Sequence, residues 1–148
     1  MEKKEWSPAE LKHKAEAYCA ATERCEYDVR LKLKQWNADA KTTDEIVDFL
    51  YQHDFLSVQR YCNAFVHDKL LFQGWGRIKI EYMLRAKHLP AAAIQSALKT
   101  IDENDYFRVL SHLAQTKSFN TLLQRGFTAD EIHNFTPRAS RSDSFSLD

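Results

Sequence analysis

At 148 residues the chain fits one compact domain, or two or three very small modules packed on one another. With 44% apolar and 28% charged residues and only three glycines and three prolines, it has the composition of a globular protein and little material for the tight turns of an all-β fold. A formal net charge of zero excludes a molecule that attracts nucleic acid as a whole, so any such binding must come from a local patch.

The first predicted helix opens at Ser7-Pro8-Ala9-Glu10, where Ser7 can cap free amides, Pro8 suits the first helical position and Glu10 can bond back to the cap. Leu11, Ala15, Tyr18 and Cys19 give it one apolar face. A second helix carries Val29, Leu33 and Trp36, and Asn37 to Lys41 form the connection. Thr42-x-x-Glu45 reads as a capping box for a third helix with Ile46, Val47, Phe49, Leu50 and His53 inward. From Ser57 a fourth helix turns Tyr61, Cys62, Phe65, Val66 and Leu70 inward and stops at Gly74-Trp75-Gly76. A fifth, Arg77 to Lys87, buries Ile80 and Leu84, and Pro90 starts a sixth with Ile94, Ala97, Leu98 and Ile101. Tyr106, Leu110 and Leu113 mark a seventh. A short eighth ends at Gly126, and the capping box Thr128-x-x-Glu131 opens a last helix with Ile132 and Phe135. Beyond Pro137 the polar run is predicted to be disordered.

No apolar run approaches the ~20 residues needed to span a bilayer, and Met1 to Glu5 lack the apolar stretch of a signal peptide, so a cytoplasmic protein without a membrane partner is expected. Cys19, Cys25 and Cys62 match neither a CxxC motif nor a zinc knuckle, and Cys19 and Cys62 fall at apolar helix positions, which points to reduced core cysteines. The six histidines are scattered, so neither a metal nor another cofactor is expected. GxSxG, HExxH and phosphate-loop patterns are absent, which argues against an enzyme and leaves no candidate catalytic residue.

The chain also resembles itself. Leu84 to Ile94 align without a gap on Leu122 to Ile132, and around the first module Val29 and Leu33 correspond to Ile80 and Leu84. Ile46 and Leu50 then correspond to Ile94 and Leu98 if the first module has a longer connection between its helices. The expected fold is all-α, with tandem three-helix repeats in an elongated molecule that is open to curvature. The expected boundaries are an N-terminal extension over 1–8, repeats over 9–56 and 57–105, a shortened third repeat over 106–135, and a tail over 136–148.

The run Arg60 to Phe72, followed by Gly74-Trp75-Gly76-Arg77-Ile78-Lys79-Ile80, by Leu84-Arg85-Ala86-Lys87 and by Leu123-Gln124-Arg125-Gly126-Phe127, resembles the bacterial regulatory protein RecX family over roughly residues 9 to 135. That resemblance implies three tandem three-helix repeats. It also implies a regulator that lodges in the groove of the RecA recombinase filament on single-stranded DNA, hindering strand exchange, ATP hydrolysis and filament growth. His88 stands where the family usually has glycine, and the third module is shorter between Tyr106 and Leu122.

Candidate partner-binding residues cluster in the middle module. Between Asp68 and Lys87, five cations (Lys69, Arg77, Lys79, Arg85, Lys87) face two acids (Asp68, Glu81). Arg77 and Lys79 follow Trp75, which puts a cation beside an aromatic ring for a phosphate or an acidic protein surface. Arg125 occupies the third-module equivalent of Lys87. The competing reading is of solvated helix faces, with Trp75 as an anchor between helices and Arg125 as a cation at a helix C-terminus. Replacing Arg77, Lys79, Arg85 and Lys87 by Ala is expected to weaken filament binding and leave the fold intact. The partner expected is the RecA filament, with room for weak contact to single-stranded DNA, and the protein is expected to be a monomer, since no heptad run points to a coiled coil. The alternatives are a helix-turn-helix DNA reader, disfavoured by neutral charge, and a non-enzymatic helical adaptor.

Overall fold

A computed structural model describes residues 5–135. Nine helices and no strand lie among them: α1 (Pro8–Ala21), α2 (Glu26–Gln35), α3 (Ala40–Gln52), α4 (Val58–Leu71), α5 (Arg77–Ala86), α6 (Ala91–Leu98), α7 (Glu103–Ala114), α8 (Phe119–Gln124) and α9 (Ala129–Phe135). The all-helical expectation is met. The polar run from residue 136 lies outside the described residues. Two compact units meet at the Tyr61–Cys62 step, inside the first turn of α4.

In the first unit α1, α2 and α3 pack on one another. Its core takes Leu11, Ala15 and Cys19 from α1, Val29 and Leu33 from α2, Ile46, Val47 and Leu50 from α3, and Leu56. Each fully buried Leu or Ile is worth about 1.5–3 kcal/mol relative to exposure, so these spacings fix which helix faces meet. Trp6, expected in an N-terminal extension, packs against this core, and the Lys14 ammonium sits 4.0 Å from its ring centroid. The capping box of α1 forms as expected: Ser7 Oγ accepts from the Glu10 amide at 3.1 Å and the Ser7 amide donates to Glu10 at 3.0 Å.

Two expectations for α3 are corrected. The N-cap is Asp39, whose carboxylate accepts from the Thr42 amide at 2.7 Å, so Thr42 lies inside the first turn. That bond to the Thr42 amide holds the Asp39 carboxyl below the usual carboxylate range. His53 is the exposed C-cap residue, its ring 4.2 Å from that of Phe49, and the buried face includes Thr43 in its place.

The second unit holds the rest of α4 and α5 to α9, with α5 packed on α6 and α7, α8 and α9 packed on one another. Its most completely buried large side chains are Leu70, Ile80, Leu84, Ile94, Tyr106, Leu110, Leu122, Phe127 and Ile132. Pro90 caps α6 from outside, and Ile101 is buried just past the helix end. Thr128 and Glu131 form the expected box, Thr128 N donating to Glu131 at 2.9 Å and Glu131 N to Thr128 Oγ1 at 3.0 Å. Cys19, Cys25 and Cys62 are buried and in no disulfide among the described residues, as expected for Cys19 and Cys62, and burial pushes the Cys19 thiol up to about 11.

The repeat is written most clearly in its turns. Helices α2, α5 and α8 each end four residues before the next helix begins. The second turn residue, Asn37, His88 or Gly126, takes positive φ of 63°, 64° and 100°. Each turn closes with the same pair of bonds. Ala38, Leu89 and Phe127 donate to the carbonyls of Leu33, Leu84 and Leu122 at 3.0, 3.2 and 3.2 Å, and Asn37, His88 and Gly126 to those of Lys34, Arg85 and Leu123 at 3.0 Å. The first module therefore has no longer connection. Thr43 is the counterpart of Ile94 and Ile132, and the pairing of Ile46 with Ile94 is three residues out of register.

Candidate functional site

The N-terminus of α5 is built by residues from the third module. Gly76 N donates to Arg125 O at 2.7 Å, Ile78 N to Gly126 O at 3.2 Å, and Arg77 N to the Tyr106 hydroxyl at 3.1 Å. The amides that an isolated helix leaves unpaired are thus satisfied from α7 and the end of α8, whose partial negative charge faces the positive end of α5. Tyr106 in turn donates to Glu131 at 3.2 Å, and its burial raises the phenol's pKa.

This arrangement decides where the candidate cations lie. The Arg77 guanidinium stands 3.9 Å from the Tyr106 ring centroid and is paired with Glu103 and, at 3.4 Å, with Glu131. Arg77 is therefore tied into the fold, and replacing it removes a link between α5, α7 and α9, so of the four cations it is one whose loss also bears on stability. Arg85 pairs with Glu81 one turn away at 2.9 Å, and Lys87 is the C-cap residue of α5.

Lys69, Trp75, Lys79 and Arg125 do come together. The ammoniums of Lys79 and Lys69 lie 4.4 and 5.0 Å from the Trp75 ring, which also meets Phe65 edge-on with centroids 6.3 Å apart. Arg125 is held by a 2.8 Å bond from its guanidinium to Gln73 O. Trp75, Lys79 and Arg125 line one open cleft of about 940 Å³ whose apolar walls include Leu71, Phe72, Val109 and Leu113. Arg108 and His112, one turn apart on α7, complete its polar rim, and no acidic residue among the described ones lines it, although Asp105 pairs with Arg108 at 2.6 Å. The sequence reading did not single out Arg108, His112 or Phe72. The signal available was the i, i+4 spacing of Arg108 and His112 beside the inward Tyr106 and Leu110.

Two arginines of the first unit, Arg30 on α2 and Arg24 just before it, are engaged within that unit. Arg30 bonds Glu26 and Asp44 at 2.8 Å each, and Arg24 covers the Tyr18 ring at 3.9 Å and donates to Tyr18 O at 3.1 Å. Among the described residues no group of three or more His, Cys, Asp or Glu side chains is placed to hold a metal, and no helix is long and apolar enough to cross a membrane.

Recurring helical modules with the same kind of turn between their last two helices, and a cation-rimmed cleft in the second unit, define a helical-repeat protein. Residues 59–98 match the family model described as RecX, second three-helix domain. The Regulatory protein RecX of Clostridium botulinum is 32% identical over 118 residues, which cover 80% of this chain and 53% of the relative. That of Clostridium acetobutylicum is 26% identical over 116 residues, covering 77% and 53%. The crystal structure of RecX from Lactobacillus salivarius shares the fold, with a TM-score of 0.73 over 94% of this chain and 97% of that one at 18% identity. The chain is similar to regulatory proteins of the RecX family, and it spans about half the length of the curated relatives it matches.

Proposed function

We propose that this protein binds the RecA recombinase filament on single-stranded DNA and restrains its ATP hydrolysis and growth, acting in the cytoplasm as a monomer and performing no chemistry of its own. Similarity to RecX regulatory proteins supports the regulatory role. The observation that carries the contact is the cleft of the second unit, where Lys79, Arg108, His112 and Arg125 are gathered around apolar walls, with no acid among the described lining residues and Arg108 paired to Asp105 beside it. A surface of that kind recognises an anionic, partly apolar partner surface, and it needs no reactive group. Lys69 and Trp75 support the position of Lys79, while Arg85 and Lys87 extend the same module's positive charge along α5.

The test is single-stranded-DNA-stimulated ATP hydrolysis by RecA, titrated with this protein and with a Lys79→Met, Arg108→Met double variant. Hydrolysis falls at substoichiometric regulator and recovers at least tenfold in the regulator concentration needed when the variant is used. Undiminished hydrolysis with a folded wild-type protein overturns the reading.

A further inference from the structure

We infer that the cleft between the end of α4, α5, α7 and α8 receives an acidic protein segment carrying one bulky apolar side chain, and that this regulator therefore grips its partner's polypeptide and not its nucleic acid. The inference rests on the proposed filament contact and specifies its chemistry.

Three features of the cleft distinguish a peptide from a strand of nucleic acid. The first is charge: Lys79, Arg108 and Arg125 line it and no carboxylate among the described residues does, in a chain whose net charge is zero, so the attraction for an anion is local and confined to one short segment. Arg108 is paired with Asp105 at 2.6 Å and Arg125 gives one nitrogen to Gln73 O at 2.8 Å, so Lys79 and Arg125 are the lining cations that no carboxylate among the described residues pairs with.

The second is the aromatic arrangement. Nucleic-acid strands are held by successive bases stacked on open ring faces. Here Trp75 carries the protein's own ammoniums, Lys79 at 4.4 Å and Lys69 at 5.0 Å from the ring centroid, so a base would have to displace a lysine to stack. Phe72, 79% exposed, is a single open ring at the lip.

The third is the apolar lining. Val109 and Leu113 present aliphatic surface beside Gly74, and a cleft of about 940 Å³ accommodates one large side chain with its flanking residues. Aliphatic surface rewards burial of an apolar anchor and gives nothing to a phosphate. Cations around an apolar pocket fit an anchor flanked by carboxylates.

The experiment is fluorescence anisotropy with the full chain and three labelled probes: a twelve-residue peptide of Glu and Asp around one central Phe, the same peptide with Ala at the centre, and a twelve-nucleotide oligo-dT. The Phe peptide binds at least tenfold more tightly than both other probes, and Lys79→Met, which keeps the stem packed on Gly126, weakens it at least fivefold. Phe72→Ala, at an exposed position that leaves helix content unchanged, weakens it as well. Oligo-dT binding as tight as the peptide's and equally sensitive to Lys79→Met overturns the inference in favour of a nucleic-acid groove, and so does peptide binding indifferent to the central Phe or absent at millimolar concentration. Co-sedimentation with RecA filaments separates the two claims. Peptide capture lost in Lys79→Met with filament binding unchanged supports the cleft's chemistry and removes the cleft from the filament contact.

Discussion

Gly76 lies backbone to backbone against Gly126. A methyl group on Gly76 would fall well inside contact distance of the Gly126 carbonyl, and one on Gly126 would stand 2.5 Å from the Lys79 nitrogen. The same approach brings Gly76 N to within 2.7 Å of Arg125 O and Ile78 N to within 3.2 Å of Gly126 O. Neither atom at the meeting point is a flexible side-chain end, so a methyl can be admitted only by prising α5 from α8. Gly76→Ala is expected to destabilise the second unit by about 1–3 kcal/mol. Gly126→Ala should cost about 1–2 kcal/mol more, because alanine must also adopt its positive φ. Thermal unfolding followed by circular dichroism measures both, and a midpoint unchanged in either variant contradicts the close approach.

His88 holds the equivalent position in the second module at φ 64°. A β-carbon there is strained where glycine is not. His88→Gly should stabilise the protein by about 0.5–1 kcal/mol, whereas Asn37→Ala should destabilise it by about the same amount. Urea unfolding of the two variants reads the opposite signs.

Arg77→Met removes a guanidinium paired with Glu103 and Glu131 and stacked on Tyr106. With the Glu131 side chain only 20% exposed, loss of its charged partner should cost about 2 kcal/mol although Tyr106 and Thr128 still donate to it. Helix content at low temperature should stay intact while the unfolding midpoint drops. Lys79→Met should leave the midpoint nearly unchanged, since its charge pairs with no carboxylate among the described residues and the methionine stem can still lie on the Trp75 ring.

Much of this was legible in the sequence and some was not, for physical reasons that the residues make plain. The boxes at Ser7 and Thr128 were readable because both partners sit within one turn. Thr42-x-x-Glu45 has the same spelling, yet the left-handed turn at Asn37 starts the helix earlier and gives the cap to Asp39. Thr43 was missed as a core position because its polarity hides it from apolar periodicity, although its counterparts Ile94 and Ile132 are fully buried. The partners of Arg77 lie 26 and 54 residues away, beyond any local pattern. Lys79 and Arg125 meet at one cleft for a similar reason: the Gly76 and Gly126 contact joins segments whose proximity no spacing announces.

The cap on α3 has its own test. Because the Asp39 carboxyl is held below its ordinary range by the Thr42 amide, its contribution is present above about pH 4 and is lost as pH falls through the lowered value. Asp39→Ala should lower the unfolding midpoint at pH 7, and the difference from wild type should vanish as the pH drops below that of ordinary carboxylates. Asp39→Asn should restore most of the midpoint, because an amide oxygen can accept the same bond.

At the alkaline end the buried Cys19 sets a limit. Its thiol is pushed from 9.0 up to about 11 by burial, so between these values the unfolded chain releases a proton that the folded chain retains. The stabilisation is complete below pH 9 and is lost as pH rises through about 11. Urea midpoints of the first unit measured across that window should fall, and Cys19→Ala should flatten the fall.

The shared turn explains how the modules can differ so much in size. Helices α2 and α5 run for ten residues and α8 for six, yet each hands the chain to its successor through the same four-residue joint. Direction is stored in the joint and length in the helix, so whole helical turns can be trimmed from a module without changing where its last helix sets out. A duplicated gene can then shorten one copy to suit a smaller neighbour while the joint preserves its heading.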